Sequence, residues 1–332
     1  MNTTYRSVTL GGAALAAAVA LASCGGGGSG SATLQTGSMS LAITDAAIAG
    51  LPDGAKVMIT ITGVELKPQQ SEAVQIDFDP PKVIDLLSLS GNASELLFQD
   101  EEVPADSYNW IRLKVLAGRG QFDSFVDMTG DGLTGDDVSL FIPSGNQSGL
   151  KLIAASDKIV VEPDGEVDFT IDWDVRKSVF INDPQGFDDY VLRPVIRIVN
   201  DLEVGSISGT VTTELVDNLS DQEGATCAVY AFPGPLSPLD DVDDGVAGTD
   251  ADDGPEPITS ANLEPVVVDE VVTAWSYTLG FLEAGAYTLG LTCDAELDLP
   301  DEDDDGEVEF GDQAEAEVSA GADTVVDFPS GG

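Results

Sequence analysis

From residue 38 onward, apolar and polar side chains alternate with a period of two. Met39/Leu41/Ile43, Val57/Ile59/Ile61, Ile111/Leu113/Val115 and Val167/Phe169/Ile171/Trp173/Val175 each line one face of an extended strand with apolar groups. Clusters rich in Gly, Pro, Asn and Asp separate the runs, among them Pro52-Asp53-Gly54, Pro163-Asp164-Gly165 and Asp183-Pro184-Gln185-Gly186. The best helical signal is Asn92–Phe98, two turns at most. Many short strands at this spacing predict an all-β chain of two consecutive antiparallel β-sandwich domains.

Charge then narrows the functional classes. The 332 residues carry 60 acidic and 13 basic side chains and no histidine, a net charge of −47. Such a surface repels phosphate backbones, so nucleic acid is not an expected partner. Without histidine there is no Ser-His-Asp or Cys-His catalysis and no imidazole ligand for zinc or haem. Hydrophobic residues make up 42% of the chain, enough for real cores beneath the acidic surface. The acidity also points to a salty habitat, where ions screen the self-repulsion.

The charge is unevenly divided. Residues 25–201 hold 12 basic and 28 acidic groups, whereas 202–332 hold 32 acidic and none that is basic, the last being Arg197. This break predicts one domain over 38–201 and a second, acidic one over 202–332.

The first 24 residues read as a secretory signal: Arg6, an Ala/Gly/Leu/Val run from Val8 to Ala22, then Leu21-Ala22-Ser23-Cys24. That ending resembles the lipobox of bacterial lipoproteins, which implies an acylated Cys24 as the mature N-terminus and a lipid contact with the membrane. The Gly/Ser-rich stretch over 25–37 is a flexible tether. In Gram-negative lipoproteins an Asp after the cysteine signals retention at the inner membrane. Gly25 stands there, so the expectation is an outer-membrane anchor in the bacterial cell envelope. The two remaining cysteines, Cys227 and Cys293, both lie in strand-like runs and are expected to pair as a disulfide in an oxidising compartment.

Two family resemblances add to this. Thr44-Asp45-Ala46, Thr62-Gly63-Val64-Glu65-Leu66, Ile84-Asp85-Leu86-Leu87, Tyr108 to Leu113, Ile142 to Gly145 with Ser148 to Leu152, Ile171 to Ser178 and Leu192 to Val195 occur in order. Together they resemble the domain-of-unknown-function 4382 family of bacterial lipoproteins, over roughly 38–201. That family implies architecture and location and leaves activity open. Gly205 to Val211 and Tyr277 to Leu289 are similar to the opening strand and the strand turn of carboxypeptidase-regulatory-like, prealbumin-type sandwiches, some relatives of which bind carbohydrate.

Three constellations have chemical content. With Val167 to Val175 facing inward, Asp168, Asp172, Asp174 and Arg176 face outward, Arg112 and Lys114 share a face with Tyr108 and Trp110, and Arg193 shares one with Arg197. If these strands are neighbours, the residues form either cross-strand charge pairs that set register or a ligand face whose aromatic and hydrogen-bonding groups suit a sugar or another polar ligand. The segment Asp301–Asp312 spaces Asp301, Asp303, Asp305, Glu307, Glu309 and Asp312 as in an EF-hand-like loop, with Gly306 at the turn, and is a candidate calcium site. Asp127 to Gly132 is a weaker match, and Asp240 to Glu256 reads as a solvated acidic loop. The leading expectation is a lipid-anchored, non-enzymatic binding or structural module of the envelope, its partner a polysaccharide or a surface protein. The alternative is a glycosidase-like hydrolase working through paired carboxylates.

Overall fold

The computed structural model describes residues 35–46, 51–52, 54–132, 135–153, 159–180, 189–220, 225–236, 238–242, 256–298 and 308–329. The lipobox Cys24 and residues 25–34 of the expected tether lie outside them, as do Asp301, Asp303, Asp305 and Glu307 of the expected calcium loop; the end of the tether is corrected, since Thr36 and Gly37 already belong to a strand. Among the described residues no helix is long and apolar enough to cross a membrane, and no cluster of three or more metal-binding side chains occurs.

The chain is all-β, as its alternation predicts. The first two sheets use residues up to Asn200. One has the order β12 (Val195–Asn200), β9 (Glu166–Asp174), β1 (Thr36–Ala46), β4 (Glu95–Pro104). The other runs β10 (Val179–Phe180), β11 (Tyr190–Leu192), β7 (Val138–Phe141), β6 (Phe125–Asp127), β2 (Lys56–Pro68), β5 (Tyr108–Leu116), β8 (Leu150–Ile153), with β3 (Val74–Asp85) also paired to β2. Met39, Leu41 and Ile43 of β1, Ile59 and Ile61 of β2, Ile111 and Leu113 of β5 and Trp173 of β9 meet in one core between these sheets. Burying such side chains is the main source of stability for a sandwich of this kind, about 1.5–3 kcal/mol for each large apolar group.

Two further sheets follow. One has the order β16 (Glu264–Val268), β17 (Val271–Glu283), β13 (Val204–Val211), β20 (Asp323–Val325). The other has the order β15 (Thr259–Asn262), β14 (Ala228–Pro233), β18 (Gly285–Thr292), β19 (Asp312–Val318). Ile207, Val229, Leu279, Leu289 and Leu291 fill the space between them. Tyr230 and Phe232 face the other side of β14 and form a small separate cluster with Val242, Ala295 and Phe310. No sheet contains strands from both sides of residues 201–203, yet all described residues belong to one compact unit.

Most strand pairs are antiparallel, as expected, and three are parallel: β1 with β9, β11 with β7, and β13 with β20. In each case the chain returns from a distance instead of through a hairpin, which frees the strand direction. The expected helix at Asn92–Phe98 is instead the turn before β4 and the first four residues of that strand. Register shifts between β1 and β4 let the consecutive residues Leu97 and Phe98 both bury. A bulge of this kind breaks the period-two signal and leaves an apolar run that reads as helical. The expected solvated loop at Asp240 to Glu256 is packed at its start: Asp241 and Val242 are buried, and the Val242 N–H donates to Asp298 Oδ1 at 2.9 Å. Residues 243–255 lie outside the described set.

Candidate functional site

The seven residues expected to share a ligand face fall into four separate places. Tyr108 is fully buried, and its hydroxyl donates to the Pro104 carbonyl at 2.7 Å. The reason is a bulge: Pro68 opposes Tyr108 while Lys67 opposes Trp110, so Asn109 is an extra residue and the alternation shifts phase. Burial accordingly raises the Tyr108 pKa.

Asp172, Asp174 and Arg197 belong to the sheet that holds β1. Arg197 lies opposite Asp172 in register, and its Nε donates to Asp172 Oδ2 at 2.6 Å. Burial raises the Asp172 pKa, opposed by the adjacent guanidinium. Asp174 ends β9 and caps the short helix α2 (Val175–Ser178), accepting the Lys177 N–H at 3.1 Å. Burial pushes its carboxyl up to about 6, with Lys177 opposing. Arg193 does not share a face with Arg197, because Pro194 separates β11 from β12; its guanidinium stacks 4.5 Å from the Phe180 ring. Both carboxylates are buried and engaged by their own neighbours.

Trp110 and Arg112 remain, on the outer face of β5. Leu66, Ile111 and Leu152 point into the core, so the alternate positions of β2, β5 and β8 form a grid facing solvent. One row across the strands is Lys67, Trp110, Ile153, and the next is Glu65, Arg112, Lys151. A third places Asp77 and Lys114 on either side of Gly63. With no side chain at Gly63, the Lys114 ammonium reaches across β2 to Asp77 Oδ1 at 2.7 Å. A Cβ at Gly63 would stand 2.5 Å from the Ile76 carbonyl and 3.1 Å from that Asp77 oxygen.

Electrostatics sets this face apart. Four of the chain's 13 basic side chains stand here with two carboxylates, in a molecule of net charge −47. Arg112 pairs with Glu65 at 2.7 Å, and the Lys67 ammonium donates to the Ser71 carbonyl. The Trp110 ring has the Arg112 guanidinium 4.5 Å and the Lys151 ammonium 5.2 Å from its centre. Ile153, next to Trp110 in register, is 76% exposed. The arrangement offers an apolar centre with surplus positive charge around it. The Lys67 and Lys151 contributions were not among the sequence-derived candidates; their signal is the same alternation, carried onto β2 and β8.

Two clefts lie elsewhere on the described surface. One of 350 Å³ lies between the two pairs of sheets and is lined by Asn92, Asn262, Glu264 and Ser276. The other, of 680 Å³, adjoins Asp189, whose carboxylate already accepts from the Gly120 N–H, Ser139 and Arg119. Neither gathers surplus positive charge among its lining residues.

Cys227 and Cys293 form the expected disulfide, joining positions 66 residues apart and tying the segment before β14 to the end of β18. Of the expected calcium ligands, only Glu309 and Asp312 are described. The Glu309 N–H donates to Asp294, and Asp312 opens β19 with its carboxylate accepting the Gln313 N–H.

The family described as Domain of unknown function (DUF4382) matches residues 36–194, which end just before β12. Among curated proteins none matches the sequence. Among solved structures, a leucine-rich repeat protein from Bacteroides thetaiotaomicron is similar at 8% identity and a TM-score of 0.19, over 89% of this chain. The chain spans 26% of that protein's length. The fimbrial anchor protein Mfa2 from Porphyromonas gingivalis is similar at 12% identity and a TM-score of 0.18, over 77% of this chain and 78% of that one. Scores this low carry no inference about fold or function.

Proposed function

We propose that this chain is a lipid-anchored protein of the bacterial cell envelope, held at the outer membrane through Cys24, and that it acts as a non-enzymatic binding and structural module. Its contact surface is the outer face of β2, β5 and β8 around Trp110. The observation that supports this reading is the concentration of Lys67, Arg112, Lys114 and Lys151 around one tryptophan in so acidic a molecule. Because both cations already lie over the ring, the face is better suited to acidic groups than to the stacking of a neutral sugar. The ligand class is therefore a surface polymer bearing carboxylates, such as an acidic polysaccharide.

Affinity electrophoresis tests this. The chain should be retarded in gels containing polygalacturonate and not in gels containing neutral dextran. Lys67→Glu with Lys151→Glu should remove at least nine-tenths of the retardation. Equal mobility in both gels would refute the binding surface. The carboxylate-hydrolase reading has no assigned pair of carboxylates, and the buried Asp172 and Asp174 are each engaged by neighbouring cations or backbone.

A further inference from the structure

The second pair of sheets carries a surface of the opposite kind. Strands β16 and β17 continue into a hairpin whose turn residues Asp269 and Glu270 both have positive φ, 50° and 64°. Two left-handed residues in succession are the backbone of a type I′ turn, which matches the twist of a two-stranded ribbon. Val267 faces Val272 across the ribbon and Val268 faces Val271. Neighbouring positions point to opposite sides, so each side of the ribbon carries one valine pair. All four side chains are open to solvent, from 39% for Val272 to 61% for Val271. Such a cluster of exposed valines, on a ribbon whose outer strand β16 is the edge of its sheet, is a recognised site for pairing with another chain. Glu264 at the base and Asp269 and Glu270 at the tip bracket it with negative charge.

This ribbon complements the Trp110 face. One presents an apolar centre flanked by carboxylates, the other an apolar centre flanked by ammonium and guanidinium groups. We infer that the Glu264–Trp275 hairpin of one copy docks on the Trp110–Ile153 face of a second copy, so that the chain assembles head to tail. The inference rests on the reading of that face as a surface for carboxylate-bearing partners, and it names the partner. Charge complementarity selects the occupant: residues 202–332 contain 32 acidic groups and no basic one, so two hairpins repel each other, and the cation-rich face lies in the other half of the chain. An interface joining two different surfaces repeats from copy to copy and does not close on itself at a dimer.

The magnitudes predict how the assembly responds to salt. A stable interface buries about 800 Å² on each partner, and one short ribbon offers less, so association of the free chain is weak. Long-range repulsion between molecules of net charge −47 opposes it further at low ionic strength. At 1 M salt the screening length falls to about 3 Å, which suppresses that repulsion and leaves burial of the valines against Trp110 and Ile153 intact. Self-association therefore strengthens from 0.05 to 1 M NaCl, whereas a contact held by charge alone would weaken.

Sedimentation velocity of the full chain over a concentration series tests the inference at both ends. The face is altered by Lys151→Glu with Ile153→Glu, two outward positions of β8. The hairpin is altered by Val268→Lys with Asp269→Asn and Glu270→Gly, which installs the preferred type I′ residues and so keeps the ribbon folded. The wild type should show species beyond a dimer at 0.5 M NaCl, and each variant alone should lose at least ten-fold in association constant. An equimolar mixture of the two variants should form dimers and stop there, because one intact hairpin meets one intact face. A wild type that stays monomeric, a variant that associates like the wild type, or a mixture without dimers would each overturn the inference. A monomeric wild type that is still retarded by polygalacturonate would overturn only the self-assembly, whereas loss of both behaviours would remove the Trp110 surface as well.

Discussion

Arg176 Nη2 donates to Asn262 Oδ1 at 2.9 Å, joining two residues 86 positions apart. The same guanidinium donates from Nε to Ser260 Oγ and from Nη1 to the Ala295 carbonyl, both at 2.9 Å, and lies 3.8 Å from Asp298. It is 5.2 Å from the centre of the Tyr230 ring and is almost fully buried. Since β9 ends at Asp174, Arg176 leaves the first pair of sheets on α2 and inserts into the small apolar cluster beside β14. Lys177 adds a contact to Glu256 and to the Pro257 carbonyl. The planar fork of arginine fits three acceptors in fixed directions, which an ammonium group does not.

Arg176→Ala is expected to lower unfolding free energy by about 3–5 kcal/mol, the usual cost of removing one partner from a buried charged network. Arg176→Lys should recover less than half of it. Urea unfolding followed by tryptophan fluorescence measures both, and an unchanged midpoint in Arg176→Ala would show that the contact between the two pairs of sheets is held by other residues.

Stability should rise as pH falls from about 6 towards 4, and Asp174 contributes to that slope. Its carboxyl titrates near 6 in the folded protein, chiefly because it is buried, and near 3.8 when unfolded. Between those values the folded state holds the extra proton, so stability decreases with rising pH through this window and levels off above it. The charged form costs on the order of 3 kcal/mol relative to the neutral one. Asn caps a helix as well as Asp does, so Asp174→Asn should flatten the dependence of melting temperature on pH between 4 and 6. A slope identical to that of the wild type would assign the dependence to the acidic surface as a whole.

Free-thiol titration of the denatured, unreduced protein should detect neither Cys227 nor Cys293. Reduction releases a loop of this length in the unfolded chain and should cost about 4 kcal/mol on the chain-entropy reckoning. The melting temperature with and without reductant checks the size of the effect.

Mass spectrometry of the mature N-terminus should find a diacylglyceryl-modified and N-acylated Cys24. An unmodified Cys24, or a chain beginning at Met1, would remove the lipid anchor from the proposed function and leave the Trp110 surface to stand by itself.

Strand content, the inward face of each long run and the identity of the disulfide partners were legible in residue order alone. Alternation is a local property: a strand half-buried against a core shows its two faces in any stretch of five or six residues, as Ile111, Leu113 and Val115 do. The cysteine pairing was legible because Cys227 and Cys293 both lie in strand-like runs, whereas Cys24 stands in the expected lipobox. What residue order did not decide was where an alternating face stops alternating and what covers it. The extra residue Asn109 in β5 turns Tyr108 inward, and shifts between β1 and β4 bury Leu97 beside Phe98. A bulge depends on the partner strand as much as on its own sequence.

Composition and alternation alone determined an acidic all-β chain and marked Trp110, Arg112, Asp172 and Arg197 as outward positions, of which Asp172 is in fact buried. Tertiary structure divided those positions among different sheets: Asp172 received Arg197 as its partner, and Trp110 received Lys67 and Lys151 from strands 43 and 41 residues away. It also sent Arg176 to acceptors 84 to 119 residues distant. Contacts of that range depend on which sheet edges pair and which sheets stack. The packing energy of the whole core sets those choices, and no local pattern encodes them.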